Sequence, residues 1–271
     1  MIECLYSNDM LDFAQLSESR KTAIIAHRGA GHRNRLSPPI IENSLEAFEA
    51  AVVCGAAAVE CDLRATTDGA IVVHHNRRLK NSARPISDIT LERLCHLGQK
   101  NGFRPPTVEE ILRFAEGRIA LDLELKESGF EVEVLTVVGR FFDLAHILFT
   151  SFDDDSILRL KKISAQCQTG LLIGLPSVEA IRAGLRVNSI VGRLRNCRAD
   201  FALVHWRILT KRFHQQLHDA GFPVIAWTVN RPAIARKLIE RSIAGIITNF
   251  PERLLPLTGG QGQSGCKGTQ R

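Results

Sequence analysis

Apolar residues fall along this chain in two alternating rhythms. Short β-branched runs give way to longer stretches whose apolar positions recur three and four residues apart, and the alternation persists almost to the end. The runs TAIIAH (from Thr22), AAVECDL (Ala57), AIVVHH (Ala70), RIALDLELK (Arg118), HILFTSF (His146), TGLLIG (Thr169), DFALVHW (Asp200), PVIAWTV (Pro223) and AGIITN (Ala244) read as strands. Between them NSLEAFEAAVVCG reads as a helix: Leu45, Phe48, Ala51 and Val52 share a face, Asn43 is the expected cap and Gly55 the expected stop. The stretch FPVIAWTVNRPAIARKLIERSIAGIITN repeats the logic, with a strand, Asn230 as expected cap, Pro232 in the first turn, a helix and a closing strand. Strands that alternate with helices in this way lie parallel, joined by helical crossovers.

An open doubly wound sheet shares this rhythm, but its dinucleotide-binding form carries G-x-G-x-x-G after the first strand. Here the chain reads HRGAGHRNR after Ala26. The reading is therefore α/β, a TIM (β/α)8 barrel in a single domain, with nine strand candidates supplying eight barrel strands and one extra. The barrel is expected over residues 22–256, behind an N-terminal extension (1–21) and ahead of a disordered tail (257–271) rich in Gly and Gln. A small insertion between His75 and Pro105, around ISDITLERLCHLG, is expected to form a shallow cap.

Composition narrows the setting. The first twenty residues mix acids and polar groups and do not read as a signal peptide, and no apolar run approaches the ~20 residues of a spanning helix. The seven cysteines are scattered and never form C-x-x-C, which argues against a disulfide framework or zinc site and suits a cytoplasmic protein. A net charge of +6 favours an anionic partner, yet with 2 Trp and 1 Tyr there is little to stack bases, so phosphate is expected rather than nucleic acid. No feature specifies an oligomeric state.

The carboxyl ends of the candidate strands collect His27 and Arg28, Glu60 and Asp62, His75, and Glu124 and Lys126. In Glu60-Cys61-Asp62 and Glu124-Leu125-Lys126 the charges lie two apart, so each pair faces one way from its strand. Three converging carboxylates would repel one another, a penalty that a hard divalent cation, Ca2+ or Mg2+, removes. Zinc is disfavoured by the absence of cysteine pairs nearby.

Taken together, HRG at His27, EN at Glu42, E-x-D at Glu60, DG-x-x-VV-x-H from Asp68 and E-x-K at Glu124 resemble the glycerophosphodiester phosphodiesterase family. The resemblance runs over residues 24–252 and continues through TSFD at Thr150, AWTVN at Ala226 and GIITNFP at Gly245. It implies a TIM barrel that hydrolyses glycerophosphodiesters to sn-glycerol 3-phosphate and an alcohol with a divalent cation. It further implies His27 and His75 as general acid and base and Glu60, Asp62 and Glu124 as metal ligands. Arg28 and Lys126 would contact the phosphoryl group, Glu42 would add or orient a ligand, and Trp227 would wall the glycerol moiety. Competing readings make Lys126 a salt-bridge partner, Trp227 a core aromatic, Asn43 a plain helix cap, and His74, His205 and Trp206 structural. At the level of the whole protein, the alternatives are a lysophospholipase D acting on lysolipids and a weakly catalytic phosphodiester-binding protein.

The chain departs from that family's pattern in places. His75-Asn76 and Thr248-Asn249 stand where members commonly read HD and TD, and Ile41 replaces a proline. The longer loop at residues 30–41 reads as a solvated loop, with contact of His32, Arg33 and Arg35 to extra negative charge on a substrate as the competing reading. The basic stretch at 181–198 reads as a solvated helix face, with weak contact to an anionic membrane surface as the competing reading.

Overall fold

The nine apolar runs form nine strands: β1 (Ala23–His27), β2 (Ala58–Ala65), β3 (Ile71–Val73), β4 (Ala120–Leu125), β5 (Ile147–Ser151), β6 (Gln168–Ile173), β7 (Phe201–His205), β8 (Val224–Trp227) and β9 (Gly245–Thr248). This architecture is that of a computed structural model that describes residues 10–16, 19, 21–30, 40–100, 102–175 and 187–259. Eight strands are parallel in the order β1-β2-β4-β5-β6-β7-β8-β9, and pairing of β1 with both β2 and β9 closes the barrel. The extra strand is β3, which folds back antiparallel on the end of β2. Helices occupy the connections, among them Leu45–Cys54, Glu131–Phe141, Asp154–Ile163, Lys211–Asp219 and Pro232–Ile239.

Alternation along the strands sorts the side chains into two shells. Val59, Cys61, Leu63, Leu121, Leu123 and Leu125 point outward and pack with Phe48 and Ile111 from the surrounding helices. Ile25, Ala58, Ala120, Leu148, Leu203, Ile225 and Ile247 fill the lower interior. Phe13 and Leu16, on the short helix Phe13–Leu16 of the N-terminal extension, join that interior cluster and seal its lower end. Full burial of a Phe or Leu side chain contributes about 1.5–3 kcal/mol, so this segment adds to the stability of the barrel.

Two caps differ from the sequence expectation. Ser44, not Asn43, caps Leu45–Cys54: its Oγ accepts the Ala47 N–H at 3.1 Å, while Asn43 takes a left-handed φ of 57° one residue earlier. Gly55 ends the helix as expected, at φ 83°. At Pro232–Ile239 the cap position is Arg231, which makes no side-chain capping bond, and Asn230 is engaged elsewhere. In both cases the asparagine is drawn to a long-range partner that helix periodicity does not reveal.

The insertion after β3 contains the helix Leu91–Lys100 and forms a small apolar cluster of Val72, Leu79, Ile86, Ile89 and Leu94 on the hairpin. Of the basic stretch at 181–198, the part in the helix Val187–Cys197 has Arg193 paired with Asp154 at 2.5 Å, leaving Arg195 and Arg198 exposed. Residues 181–186, the loop residues His32, Arg33 and Arg35, and the tail beyond 259 lie outside the described residues.

Candidate active site

The interior of β1, β2 and β4 changes character toward the strand ends. Register pairs His27 with Glu60, Glu60 with Asp122, and Asp62 with Glu124, so the period of two carries four carboxylates up one side of the barrel in adjacent layers. Glu60, Asp62 and Glu124 each offer an oxygen, and these oxygens lie within 4.8 Å of one another. Asp122 is a fourth acid that the sequence reading misses, although Asp122-x-Glu124 shows the same spacing as Glu60-x-Asp62. In register with Glu60 and one layer below Glu124, it is fully buried and accepts the Thr150 hydroxyl at 2.7 Å.

The HRG turn brings a cation to these acids. Arg28 (φ 55°) and Gly29 (φ 78°) turn the chain sharply off β1. A Cβ on Gly29 would sit 2.6 Å from the Ala47 carbonyl carbon, so the turn requires glycine there. The Arg28 N–H donates to Glu60 Oε2 at 3.0 Å. Its guanidinium donates to Glu42 at 2.9 Å and lies 3.1 Å from Asp62 Oδ2. Asn43 donates to Asp62 at 2.8 Å, a site contact rather than a helix cap. Lys126 donates to Glu124 at 2.6 Å and sits 3.3 Å from Asp62, so its salt-bridge role is present in the structure.

The β2–β3 hairpin delivers the second histidine. Because β3 runs back along β2, the His74 N–H reaches the Asp62 carbonyl at 2.9 Å and His75 follows it at the mouth. Arg64, buried and without a signal in the sequence, donates from Nε and Nη2 to the His75 carbonyl at 3.1 and 2.7 Å and pairs with Glu127. His27, at the end of β1, has Nδ1 2.5 Å from Asn249 Oδ1 and Nε2 3.8 Å from Glu60 Oε2.

Burial and mutual repulsion dominate the electrostatics. Burial, then repulsion from Asp62 and Glu124, holds Glu60 well above the usual carboxylate range, and burial also raises Glu124. Burial pushes Asp62 up too, but Arg28, Lys126 and the Asn43 amide outweigh it and hold Asp62 below its ordinary value. Desolvation, helped by Arg28, lowers His27 to about 4, and burial lowers His75 as well. Asp62 Oδ1 is buried without a hydrogen-bond partner. Glu42, Glu60, Asp62, Asp122 and Glu124 outnumber Arg28 and Lys126, and the all-oxygen donor set suits a hard cation. The cluster therefore fits a divalent metal ion.

A stability consequence attaches to Asp122, which burial raises to about 8. From about pH 4 to 8 the folded chain keeps this proton and the unfolded chain does not, so the folded state loses stability as pH rises. In chelator, the thermal stability of the wild type should fall most plainly from about pH 6.5 to 8, since the lowered His27 opposes the trend at lower pH, and a group such as Asp122 adds a slope of at most about 1.4 kcal/mol per pH unit. Asp122→Asn should make the fall shallower; an unchanged slope would contradict this assignment.

The opposite side of the mouth is aromatic. Trp227 meets Phe152 edge-on at 5.5 Å and His205 at 5.1 Å, and donates its indole N–H to the Leu203 carbonyl at 2.9 Å. It is half-buried at the rim, packing against the interior cluster, while Phe152 beside it (47%) and Leu175 after β6 (53%) are exposed.

A closed parallel barrel with acids, cations and imidazoles around one opening at its carboxyl end defines an enzyme of the TIM-barrel class. Known proteins of this class share both sequence and fold with it. The chain belongs to the glycerophosphoryl diester phosphodiesterase family, whose profile matches residues 27–253. It is 27% identical over 253 residues to a glycerophosphodiester phosphodiesterase of Caldanaerobacter subterraneus, covering 88% of this chain and 98% of that protein. The crystal structure of a glycerophosphodiester phosphodiesterase from Thermotoga maritima matches with a TM-score of 0.70 at 27% identity, over 87% of this chain and 98% of that one. A phosphodiesterase from Oleispira antarctica, solved in complex with its product sn-glycerol-3-phosphate, shares the fold with a TM-score of 0.73 at 21% identity, over 90% and 99% of the two chains.

Proposed function

We propose that this enzyme hydrolyses glycerophosphodiesters to sn-glycerol 3-phosphate and an alcohol, using Ca2+ or Mg2+ held by Glu60, Asp62 and Glu124 and proton transfer by His27 and His75. The carrying observation is the buried three-carboxylate cluster with the His27 imidazole beside Glu60 and the His75 imidazole near enough to Asp62 to lower its pKa. A divalent cation bound there supplies Lewis-acid polarisation of the phosphoryl oxygens. Arg28 binds a nonbridging oxygen, Lys126 offsets the charge that builds on the phosphoryl group, and Glu42 orients Arg28. One neutral imidazole takes the proton of the attacking hydroxyl as the new P–O bond forms. The other gives a proton to the departing alkoxide as the old P–O bond breaks. Trp227 closes the side of the mouth on which the glycerol carbons rest. The product seen in the Oleispira antarctica relative supports this assignment of the reaction.

The exposed Phe152 and Leu175 favour a second reading, in which the glycerol carries an acyl chain, the substrate is a lysolipid and the released alcohol is its head group. Rates on glycerophosphocholine and lysophosphatidylcholine separate the two. If soluble diesters are the substrates, glycerophosphocholine should be the faster, and Phe152→Ser should leave both rates within about twofold, as for a surface substitution without contacts to the reacting groups. A faster lysolipid reaction that Phe152→Ser selectively lowers would establish the second reading. Buried free thiols at Cys61, Cys167 and Cys197 suit a reducing compartment, and we place the enzyme in the cytoplasm. No described helix is long and apolar enough to cross a membrane. Among the described residues, weak contact with an anionic membrane surface would fall to Arg195 and Arg198, since Arg193 is engaged by Asp154.

A further inference from the structure

The two asparagines that replace expected aspartates face the same atom on the two histidines. Asn249 Oδ1 lies 2.5 Å from His27 Nδ1, and Asn76 Oδ1 lies 3.0 Å from His75 Nδ1. An amide oxygen only accepts, so the ring nitrogen facing it carries a proton; in a neutral ring the other nitrogen then keeps its lone pair, and in a doubly protonated ring it can give a proton away. For His27 that other atom is Nε2, on the side of the acidic cluster, 3.8 Å from Glu60.

The two contacts differ in how firmly they are held. Asn76 is exposed and is simply the next residue in the chain. Asn249 is half-buried at the end of β9, and its backbone N–H donates to Asn230 Oδ1 at 2.9 Å. The Thr248 hydroxyl donates to the same oxygen at 3.3 Å and accepts the Phe250 N–H at 3.1 Å. A chain of contacts therefore runs from Asn230 through Asn249 to His27, joining the ends of β8, β9 and β1.

We propose that Asn249, seated by Asn230, is a positioning residue that holds His27 as the Nδ1–H tautomer, so that Nε2 is the base that takes the nucleophile's proton. His75, half-buried and held only by the exposed Asn76, is then the acid: starting doubly protonated, it gives its Nε2 proton to the leaving alkoxide and regains one from water. The inference rests on the proposed reaction and divides its two proton transfers. An amide at 249 sets the ring's tautomer and tilt without adding the negative charge of a carboxylate beside the phosphate-binding mouth, which separates orientation from basicity.

The test is the ring-nitrogen NMR spectrum of the full-length protein labelled with 15N-histidine, with His27 assigned by its absence in His27→Gln. The expected spectrum has the His27 proton on Nδ1 in the wild type and in Asn249→Asp, and mixed tautomers in Asn249→Leu. In parallel, kcat for glycerophosphocholine should fall about 10–100-fold in Asn249→Leu, the usual cost of losing an outer partner of a site imidazole, with KM nearly unchanged. Asn249→Asp should restore most of that loss. A His27 proton on Nε2 in the wild type, or an Asn249→Leu protein that keeps both tautomer and kcat, would overturn the inference. The wild-type spectrum decides the matter even if Asn249→Leu does not fold. Because it needs no turnover, failure of this inference is distinct from failure of the proposed reaction.

Discussion

Replacing His75 with alanine is expected to slow release of sn-glycerol 3-phosphate from glycerophosphocholine by about 10²–10⁴-fold, the range for losing one proton-transfer group. The loss should depend on the leaving group. A choline alkoxide leaves poorly unless protonated, whereas p-nitrophenolate leaves without help. On a p-nitrophenyl phosphodiester the His75→Ala enzyme should therefore recover most of its rate, while His27→Ala stays impaired on both substrates because the attacking hydroxyl still needs a base. The double variant should be little worse than His27→Ala alone, since groups acting in one reaction coordinate are far from additive. Steady-state rates on the two substrates measure this directly. Equal losses on both substrates for His75→Ala would remove it from the acid role.

Asp62→Asn should separate activity from stability. Asp62 is buried between Arg28 and Lys126, accepts from Asn43, and raises Glu60 and Glu124 by repulsion. Removing its charge weakens two cation contacts but also relieves two like-charge ones, and both cations keep another partner, Glu42 or Glu124. The net change in metal-free stability should therefore stay within about 1–3 kcal/mol, the scale of one unsatisfied buried group. Activity should fall by at least about 10²-fold, the scale for losing one charge-stabilising contact at a reacting centre. Metal-free thermal unfolding and kcat/KM are the two readouts. A variant that unfolds outright would instead make Asp62 a structural ion-pair residue first.

Much of this arrangement is legible in the amino-acid sequence because it follows from period two. The spacing of Glu60 and Asp62, and of Glu124 and Lys126, points each pair to one face, and both pairs reach the barrel interior. The apolar rhythm predicts eight barrel strands and one extra, and the extra is the hairpin return that carries His75. What stays hidden depends on contacts far apart in the chain. Asn43 and Asn230 look like helix caps because they precede amphipathic segments, yet their side chains reach Asp62 and Asn249. The partnership of Asn249 with His27 spans 222 residues and exists only because the barrel closes β9 against β1. Arg64 gives no signal because a charged residue on a strand reads as solvent-facing, but the hairpin buries it against the His75 carbonyl.

The central claim is that a cation held by Glu60, Asp62 and Glu124 acts with the two histidines on a phosphodiester. The measurement that meets it most directly is release of sn-glycerol 3-phosphate from glycerophosphocholine by the wild-type enzyme, first in chelator and then with Ca2+ or Mg2+ added back. The account predicts loss of release in chelator, recovery with at least one of the two ions, and only a trace in His75→Ala under the restored condition. Full-rate release in chelator, or undiminished release by His75→Ala, would contradict it.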